Sequence, residues 1–289
     1  MRRRTFLQGV GALTLASVVG CRKGLGASTA PASALSRSRL SRIGLELYSV
    51  RKAMQADPER TLAAVRAAGY TDVELLWSFK NFGRTTAQVK DTLAKEGLKA
   101  PSAHIDASIL LNDWESSLSM AKQLGHQYLI APGLPSDARK SLELWRIWAD
   151  RFNRAGEDAR KAGIWLAFHN EPDHMKPIQG QVPYDMFIER LDPKYVRLQL
   201  DVGNMTMGGG DPMKYLNRYR DRYWSFHLKD VVPDKSADTE LGKGIVDLKQ
   251  LLANIPELAR KPCFVEQEGP KDELASAREN AAYLKALEF

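Results

Sequence analysis

The sequence predicts an α/β protein built as a single (β/α)₈ TIM barrel, and three observations support this fold class. Short apolar runs alternate with helical segments from Ile43 to Phe289, which gives eight predicted strands and eight predicted helices. That span contains 247 residues, and a barrel of this type has about 250. Polar side chains also close several strands at their C-terminal ends, where the active sites of such barrels lie.

Helix caps and glycines mark the first units. The alternating run Ile43–Tyr48 predicts strand one, and Asp57-Pro58 supplies an N-cap and a proline in the first helical turn. Glycines that suit the C-terminal end of a helix follow at positions 69, 97, 125 and 163. The next strands begin just after them, at Asp72–Leu76, Leu98–His104, Tyr128–Ala131 and Ile164–Phe168. This spacing indicates successive strand–helix units of about 30 residues.

Three further units complete the predicted barrel. Val196–Asp201 is strand six, and Asp211-Pro212 again supplies an N-cap and an N-terminal proline. Strand seven is Tyr223–His227, strand eight is Cys263–Glu266, and Ala275–Leu287 is the last helix. An open doubly wound sheet is the alternative, but no glycine-rich nucleotide-binding loop follows strand one.

The N-terminal residues predict export. Arg2, Arg3 and Arg4 precede an apolar stretch, 10–19, which is too short to span a bilayer, so residues 1–20 are predicted to be a twin-arginine signal peptide. The run Val18-Val19-Gly20-Cys21 resembles a bacterial lipobox and predicts lipidation of Cys21. Residues 21–42 are then a flexible linker. We expect a periplasmic or cell-envelope lipoprotein that contacts the membrane through its lipid anchor only.

Charge and cysteine content exclude some functions. The net charge of +7 falls to +4 without Arg2, Arg3 and Arg4, and no other run of basic residues suits a nucleic-acid backbone. We therefore expect no nucleic-acid partner. Cys263 lies in an apolar strand and is expected to be a buried, inert thiol. The oligomeric state is left open.

Polar clusters at four predicted strand ends indicate a metal site. They are His169-Asn170-Glu171, Asp201, His227-Leu228-Lys229-Asp230 and Glu266-Gln267-Glu268. Two imidazoles and two carboxylates form a mixed nitrogen and oxygen donor set, which suits Mn²⁺, Zn²⁺, Co²⁺ or Fe²⁺ better than Ca²⁺. Such an ion can polarise a carbonyl group, and a nearby carboxylate can then move the proton from the adjacent carbon.

Residues 43–289 resemble the xylose-isomerase-like TIM barrels known as sugar phosphate isomerases/epimerases. The resemblance rests on Val73-Glu74, Ser102-Ala103-His104, Phe168-His169-Asn170, Leu200-Asp201-Val202-Gly203, His227-Leu228-Lys229-Asp230, Gly242-Lys243-Gly244 and Val265-Glu266. It implies one divalent ion, with Mn²⁺ favoured, held by His169, Asp201, His227 and Glu266. Ketose epimerases usually have Glu at the position of His169, and other relatives have His at the position of Glu171. Glu171 is therefore the alternative ligand at the end of strand five.

The resemblance also implies roles around the ion. Glu266 is expected to be catalytic, with Glu171 as a second acid/base group. Predicted substrate contacts are Glu74, His104, Lys229 and Lys243, although a structural hydrogen bond or a solvated turn would also explain such residues. Trp77 and Phe79 would form a wall for sugar stacking or cover the barrel rim. His126 and His174 match no motif and are predicted to lie at the surface.

Three classes of function fit these features. The first is a metal-dependent isomerase, epimerase or lyase that acts on a sugar or keto-sugar by proton abstraction. Exported relatives suggest a 3-keto-glycoside as the small carbohydrate substrate. The second is a non-catalytic exported sugar-binding lipoprotein. The third is an abasic-site endonuclease, which the sequence disfavours because Asn204 stands where that enzyme has a metal-binding histidine.

Overall fold

The computed structural model describes residues 38–289, and eight parallel strands form a closed barrel. The strands are β1 Gly44–Glu46, β2 Asp72–Leu76, β3 Lys99–His104, β4 Tyr128–Ala131, β5 Trp165–His169, β6 Val196–Asp201, β7 Tyr223–Leu228 and β8 Cys263–Val265. Each strand pairs with its neighbour in sequence, and β8 pairs with β1, with Gly44 opposite Phe264. The predicted (β/α)₈ fold is confirmed.

Within residues 38–289, eight α-helices form the outer ring, one after each strand, and three short α-helices lie in the connecting loops. The outer helices are α2 Pro58–Ala68, α3 Thr86–Glu96, α5 Trp114–Leu124, α6 Leu142–Lys161, α7 Pro183–Arg190, α9 Pro212–Arg218, α10 Leu248–Asn254 and α11 Glu273–Ala286. The loop helices are α1 Arg51–Ala56, α4 Ile109–Asn112 and α8 Val202–Met207. A short antiparallel pair, Asp230–Val231 with Asp238–Thr239, follows β7.

The predicted caps explain where these helices begin and end. The Asp57 carboxylate accepts a hydrogen bond from the Arg60 amide, and the Asp211 carboxylate accepts from Met213 and Lys214. Gly69 ends α2 in the left-handed region at φ +103°, where a side chain would be strained. The local sequence therefore sets the element boundaries that the barrel uses.

The layer between strands and helices is apolar and rich in aromatic side chains. Phe168 on β5 packs against Phe187 on α7 with ring centroids 4.5 Å apart, and Phe152 and Trp145 on α6 contact the same cluster. Because side chains alternate along a strand, Phe168 faces this layer while the next residue, His169, faces the barrel interior. The apolar layer thus orients the polar strand ends inward.

A stacked arginine fills the N-terminal opening of the barrel. The Arg197 guanidinium lies 3.6 Å from the ring centroid of Trp165 and 3.8 Å from that of Trp224. Its Nη1 also donates to the Tyr128 hydroxyl at 2.6 Å. These side chains lie at the N-terminal ends of β4, β5, β6 and β7.

The last residues of the predicted linker contact the barrel. Ser38 and Phe289 exchange two backbone hydrogen bonds, and Arg42 pairs with Asp72 at the start of β2. The predicted signal peptide and Cys21 lie outside the described residues, as does linker segment 21–37. Within residues 38–289, the helices are too short or too polar to cross a membrane.

Two histidines predicted to lie at the surface are buried, so that prediction is wrong. His126 is 5% exposed and donates from Nδ1 to the Ala100 carbonyl oxygen at 2.6 Å, with its ring 5.7 Å from Trp77. Burial lowers the pKa of His126 to about 4. His174 is fully buried next to Phe168. Cys263 is buried as predicted, and burial raises its pKa to about 12.

The buried His126 predicts a loss of stability in acid. The unfolded chain binds a proton as the pH falls through about 6.5, whereas folded His126 does so only near pH 4. Between pH 7 and pH 5, the wild-type protein should lose about 2 kcal/mol more unfolding free energy than His126→Gln. Urea unfolding at several pH values measures the slope of unfolding free energy against pH for both proteins. Equal slopes in the two proteins would show that His126 is not held neutral.

Candidate metal centre

Four side chains converge at the C-terminal end of the barrel, and they are the four predicted metal ligands. His169 ends β5, Asp201 ends β6, His227 is the penultimate residue of β7, and Glu266 follows β8. One potential ligand atom from each lies within 4.8 Å of the other three, and all four residues are buried. Neighbouring parallel strands therefore place these side chains around one point.

Asn170 fixes the position of Asp201. The Asn170 side-chain amide donates to the Asp201 carbonyl oxygen at 2.8 Å and accepts from the Asp201 amide at 2.9 Å. Asp201 Oδ1 in turn accepts from the Asn204 amide at the start of α8, at 2.7 Å. Oδ1 thus serves as a helix cap, while Oδ2 faces the interior, 3.5 Å from His169 Nε2.

The donor set fits a divalent cation. Both ring nitrogens of His169 are buried without a hydrogen-bond partner among the described residues, and Oδ2 of Asp201 is buried 3.1 Å from the Lys229 ammonium nitrogen. Burial lowers the pKa of His169 to about 4, so its ring is neutral and can offer a lone pair. Unpaired buried polar atoms are costly unless another group satisfies them. Imidazole nitrogens and carboxylate oxygens suit Zn²⁺, Fe²⁺, Co²⁺ and Mn²⁺.

Glu74 orients His227 by contacting the ring nitrogen on the side opposite Glu266. Its Oε1 lies 2.6 Å from His227 Nε2, while His227 Nδ1 lies 2.7 Å from Glu266 Oε2. Burial by itself lowers the pKa of His227, but Glu266 and Glu74 outweigh this effect and raise it to about 10. A carboxylate on the far nitrogen of a histidine is a common support for a metal ligand. We therefore interpret Glu74, predicted as a substrate contact, as a positioning residue.

The sequence prediction missed the hydrogen-bond network around Glu74. Gln199 donates to both Glu74 oxygens at 3.2 and 3.1 Å and accepts from His104 Nε2 at 2.9 Å, and Ser102 donates to Glu74 Oε2. Ser102 and Gln199 each lie two residues before a predicted site residue, His104 and Asp201. Alternation along β3 and β6 could have placed them inside the barrel.

Glu46 at the end of β1 is another missed site residue. Its side chain is buried, its Oε1 lies 3.6 Å from His104 Nδ1, and its Oε2 has no hydrogen-bond partner among the described residues. Burial, reinforced by Glu266, raises the pKa of Glu46 well above its usual range. The signal in the sequence was a lone Glu between Leu45 and Leu47, in the alternating run of strand one.

Lys229 lies within the carboxylate cluster. Its ammonium group contacts Asp201 Oδ2 at 3.1 Å, Glu266 Oε2 at 3.2 Å and Glu268 Oε1 at 2.6 Å, and it donates to Asn204 Oδ1 at 2.8 Å. Burial opposes the charged form, but the three carboxylates outweigh it and raise the pKa of Lys229 well above its usual range. Lys229 is thus a fixed positive charge inside the site.

The two predicted catalytic carboxyl groups have opposite pKa shifts. Burial alone would raise the pKa of Glu266, but Lys229 and His227 outweigh it, so the pKa lies well below its usual range. Glu171 stands at the rim with its side chain 33% exposed, and burial together with Glu266 raises its pKa to about 8. Environments that separate two pKa values in this way suit one base and one acid.

An open cleft of about 220 Å³ leads to the cluster. Its lining includes Glu46, His104, Glu171 and Glu266, with Tyr48 and Phe79 as an aromatic wall. The two rings meet edge to face, with centroids 6.0 Å apart. Trp77 does not belong to this wall, because it is buried against His126. A strained segment carries Phe79: residues 80–82 all have φ near +50° without being glycine.

Lys243 does not reach the cluster. Its side chain is half exposed and pairs with Glu279 on α11 at 2.6 Å. The flanking glycines instead bind Asp230, whose Oδ2 accepts from the Gly242 and Gly244 amides at 2.9 Å. A Cβ on Gly244 would lie 2.3 Å from Asp230 Oδ1, so this loop needs glycine to enclose the carboxylate.

Comparison with a family model agrees with this geometry. Residues 62–287 match the family described as the xylose isomerase-like TIM barrel. The protein belongs to this family. The resemblance inferred from the strand-end motifs is therefore confirmed at the level of the family.

Known members of this fold include enzymes and a zinc-containing protein. An inosose dehydratase from Geobacillus thermodenitrificans (strain NG80-2) is 23% identical over 269 residues, which cover 80% of this chain and 88% of that protein. A sugar phosphate isomerase/epimerase from Parabacteroides distasonis ATCC 8503 superimposes with a TM-score of 0.74 at 23% identity, covering 89% of this chain and 98% of that chain. An IOLI protein with a bound zinc atom gives a TM-score of 0.66 at 13% identity, covering 85% and 98%.

In this xylose isomerase-like barrel, the two predicted substrate lysines should differ strongly in their effect on stability. Lys229→Met leaves three carboxylates without their ammonium partner and should cost about 3–5 kcal/mol of unfolding free energy. Lys243→Met removes an exposed ion pair and should cost no more than about 1 kcal/mol. Urea unfolding in the presence of a chelator measures both. Equal losses would contradict the assignment of Lys229 to a buried ion cluster.

Proposed function

We propose that this protein is a divalent-metal-dependent enzyme that abstracts a proton next to the carbonyl group of a sugar or keto-sugar. A single observation carries this proposal: His169, Asp201, His227 and Glu266 place their potential ligand atoms within 4.8 Å of one another at the open end of the barrel. Barrels of this type place their active sites at that end. The zinc bound by the IOLI protein on the same fold supports the choice of cofactor.

The proposed ligand on β5 is His169 rather than Glu171. Both His169 nitrogens lack a hydrogen-bond partner among the described residues. Glu171 Oε2 accepts from the Asn204 side chain at 3.0 Å, and the Glu171 side chain lies at the rim. This leaves Glu171 available to the substrate. Mn²⁺ is the favoured ion, with Zn²⁺, Co²⁺ and Fe²⁺ as alternatives.

We assign the two proton transfers of the reaction to Glu266 and Glu171. A divalent ion held by the four ligands would polarise the substrate carbonyl and make the adjacent C–H more acidic. Glu266 is ionised, because Lys229 and His227 lower its pKa, and it can accept that proton. Glu171, with its pKa raised to about 8, carries a proton at neutral pH and can donate it. Lys229 keeps the surrounding carboxylates charged and ordered.

Elimination is the reaction we favour for this pair of groups. Glu266 would take the proton from carbon, and Glu171 would give a proton to the oxygen that leaves from the next carbon. The similarity to an inosose dehydratase supports this choice, since a dehydratase removes water from its substrate. A 3-keto-glycoside suits the same chemistry, with an alcohol as the leaving group. Return of a proton to the same carbon would instead give epimerisation or isomerisation.

The proposed ligand set predicts that the affinity of the protein for a divalent ion depends on pH. We expect close to one divalent ion per chain, and Asp201→Asn should lower this content sharply because it removes the negative charge of a proposed ligand. His227 must release a proton to bind an ion, and its pKa is about 10, so the dissociation constant should fall about tenfold per pH unit between pH 6 and 8. Glu74→Gln should weaken binding by about 10–100-fold.

Titration calorimetry with Mn²⁺ and Zn²⁺, together with elemental analysis, measures these effects. Asp150→Asn is the matched control, because Asp150 pairs with Arg190 at the surface, on α6 and α7. If Asp201→Asn retains the full metal content, the ion binds elsewhere and the proposal is wrong.

The proton-transfer roles predict distinct kinetic defects. Glu266→Gln should reduce turnover by about 10²-fold or more. Glu171→Gln should block product formation while hydrogen exchange with deuterated water continues at the acidic carbon. NMR analysis of products from a panel of keto-glycosides measures both, and Glu143→Gln on the exposed face of α6 is the control. Near-normal turnover in metal-loaded Glu266→Gln would reject this mechanism, and binding without turnover in the wild type would indicate a sugar-binding protein.

Export and anchoring remain proposals from residues 1–42. The twin-arginine signal would carry the folded barrel across the membrane, and acylation of Cys21 would hold it at the cell envelope. One acyl chain binds only marginally, so firm attachment needs more than one. Labelling with a radioactive fatty acid should mark the wild-type protein, and Cys21→Ser should lose the label. A Cys21→Ser protein that keeps the label would overturn the lipoprotein assignment.

A further inference from the structure

The N-terminal face of the barrel, formed by the starts of the strands and the ends of the outer helices, carries cations stacked on aromatic rings. The guanidinium carbons of Arg160 and Arg197 lie 3.7 and 3.6 Å from the ring centroid of Trp165. The Lys261 ammonium lies 5.0 Å from the ring centroid of Trp224. Arg160 and Arg197 form no ion pair with the carboxylates of residues 38–289. Their charges are therefore available to an external anion.

A basic pocket of about 330 Å³ opens on the same face. Lys90 on α3 and Lys99 at the start of β3 line it, and both are exposed and without an ion-pair partner in the described part of the chain. Arg42 also lines the pocket but pairs with Asp72. The apolar part of the lining includes Leu93, Leu98 and Leu124. Cations beside an apolar surface suit an amphipathic ligand that carries negative charge.

The opposite end of the barrel has the opposite charge. The cleft there is lined by four carboxyl side chains, those of Glu46, Glu171, Glu266 and Glu268. An extended anionic surface would therefore be attracted to the N-terminal face and repelled by the rim of the cleft.

The chain also reaches the barrel at the N-terminal face. Ser38 exchanges backbone hydrogen bonds with Phe289 there, beside the end of α11. Residues 21–37, 17 in number, join the proposed acylation site Cys21 to Ser38. A flexible chain of this length spans about 20–25 Å on average, whereas the 20 residues of α6 alone extend about 30 Å along the barrel. A lipid on Cys21 would thus hold the N-terminal face nearer to the bilayer than the cleft.

We propose that the N-terminal face docks on an anionic phospholipid surface, so that the barrel contacts the membrane directly and not through a lipid anchor only. Lys90, Lys99 and Arg160 would meet the phosphate groups, and the rings of Trp165 and Trp224 would lie at the level of the headgroups. The cleft would then open away from the bilayer. The argument from linker length rests on the proposed lipid anchor, whereas the argument from charge does not.

Vesicle binding by full-length protein with Cys21→Ser, which removes the proposed acylation site, tests this proposal. Sedimentation should show binding to vesicles of phosphatidylglycerol and phosphatidylcholine, none to phosphatidylcholine alone, and loss of binding in about 1 M salt. Adding Lys90→Gln and Lys99→Gln should weaken binding about 25-fold, since each charge contributes about fivefold, or about 1 kcal/mol. The matched control adds Lys176→Gln and Lys271→Gln, two exposed positions in loops at the cleft end, and should bind like the parent.

A fluorescent label measures the orientation on the vesicle. Gln123 in the last turn of α5 and Ser136 in the loop after β4 are exposed at opposite ends of the barrel, and Cys263 is buried. An environment-sensitive dye on Gln123→Cys should shift its emission to shorter wavelength when vesicles bind, whereas a dye on Ser136→Cys should not.

Several outcomes would overturn the proposal. Equal vesicle binding by the two lysine pairs, or a shift at Ser136→Cys, would show that another surface docks. All these proteins share the same basic N-terminal residues, so differences between them report on the barrel. Binding of inorganic phosphate in ³¹P NMR without vesicle binding would make the pocket a site for a soluble anion. If Cys21→Ser protein binds no vesicles while the wild type carries the fatty-acid label, the anchor stands and direct docking is wrong.

Discussion

The burial of many ionisable groups at one end of the barrel is the constraint on which the site depends. Glu74, Asp201, His227, Lys229 and Glu266 are all buried there. A buried charge is costly unless it is paired and hydrogen-bonded, so each of these groups restricts the positions of the others. The hydrogen bonds from His227 to both Glu74 and Glu266 show this most directly, because one ring joins β2, β7 and β8.

Charge pairing also explains why some polar atoms remain free. Lys229 and His227 hold Glu266 in its ionised state, and Asn204 takes one oxygen of Asp201. Within residues 38–289, His169 Nδ1 and Nε2 are buried without hydrogen-bond partners, and they lie on the side of the cluster where β5 ends. The network therefore leaves the His169 nitrogens available as ligands for a cation. The surrounding groups are hydrogen-bonded or ion-paired with one another.

The rim of the barrel follows different physical rules from its interior. Glu171, Asp106 and Arg139 lie on loops after β5, β3 and β4, where side chains are partly hydrated and less constrained by packing. The strained residues 80–82 directly follow Phe79, whose ring lines the cleft that leads to the polar cluster. A barrel of this family can thus keep one polar interior and acquire a different substrate preference through its loops.

The amino-acid sequence by itself determined the fold and the convergence of His169, Asp201, His227 and Glu266. Helix caps at Asp57 and Asp211 and the two-residue alternation of the strands are local signals, and neighbouring parallel strands must bring their ends together. The sequence did not determine which polar residues are enclosed. His126 and His174 are buried but carry no local signal of burial. Lys243 forms an ion pair with Glu279 on α11. Gln199 donates a hydrogen bond to Glu74, which lies 125 positions away in the sequence. Those contacts arise only when the barrel closes, because closure sets which distant side chains share the same desolvated space.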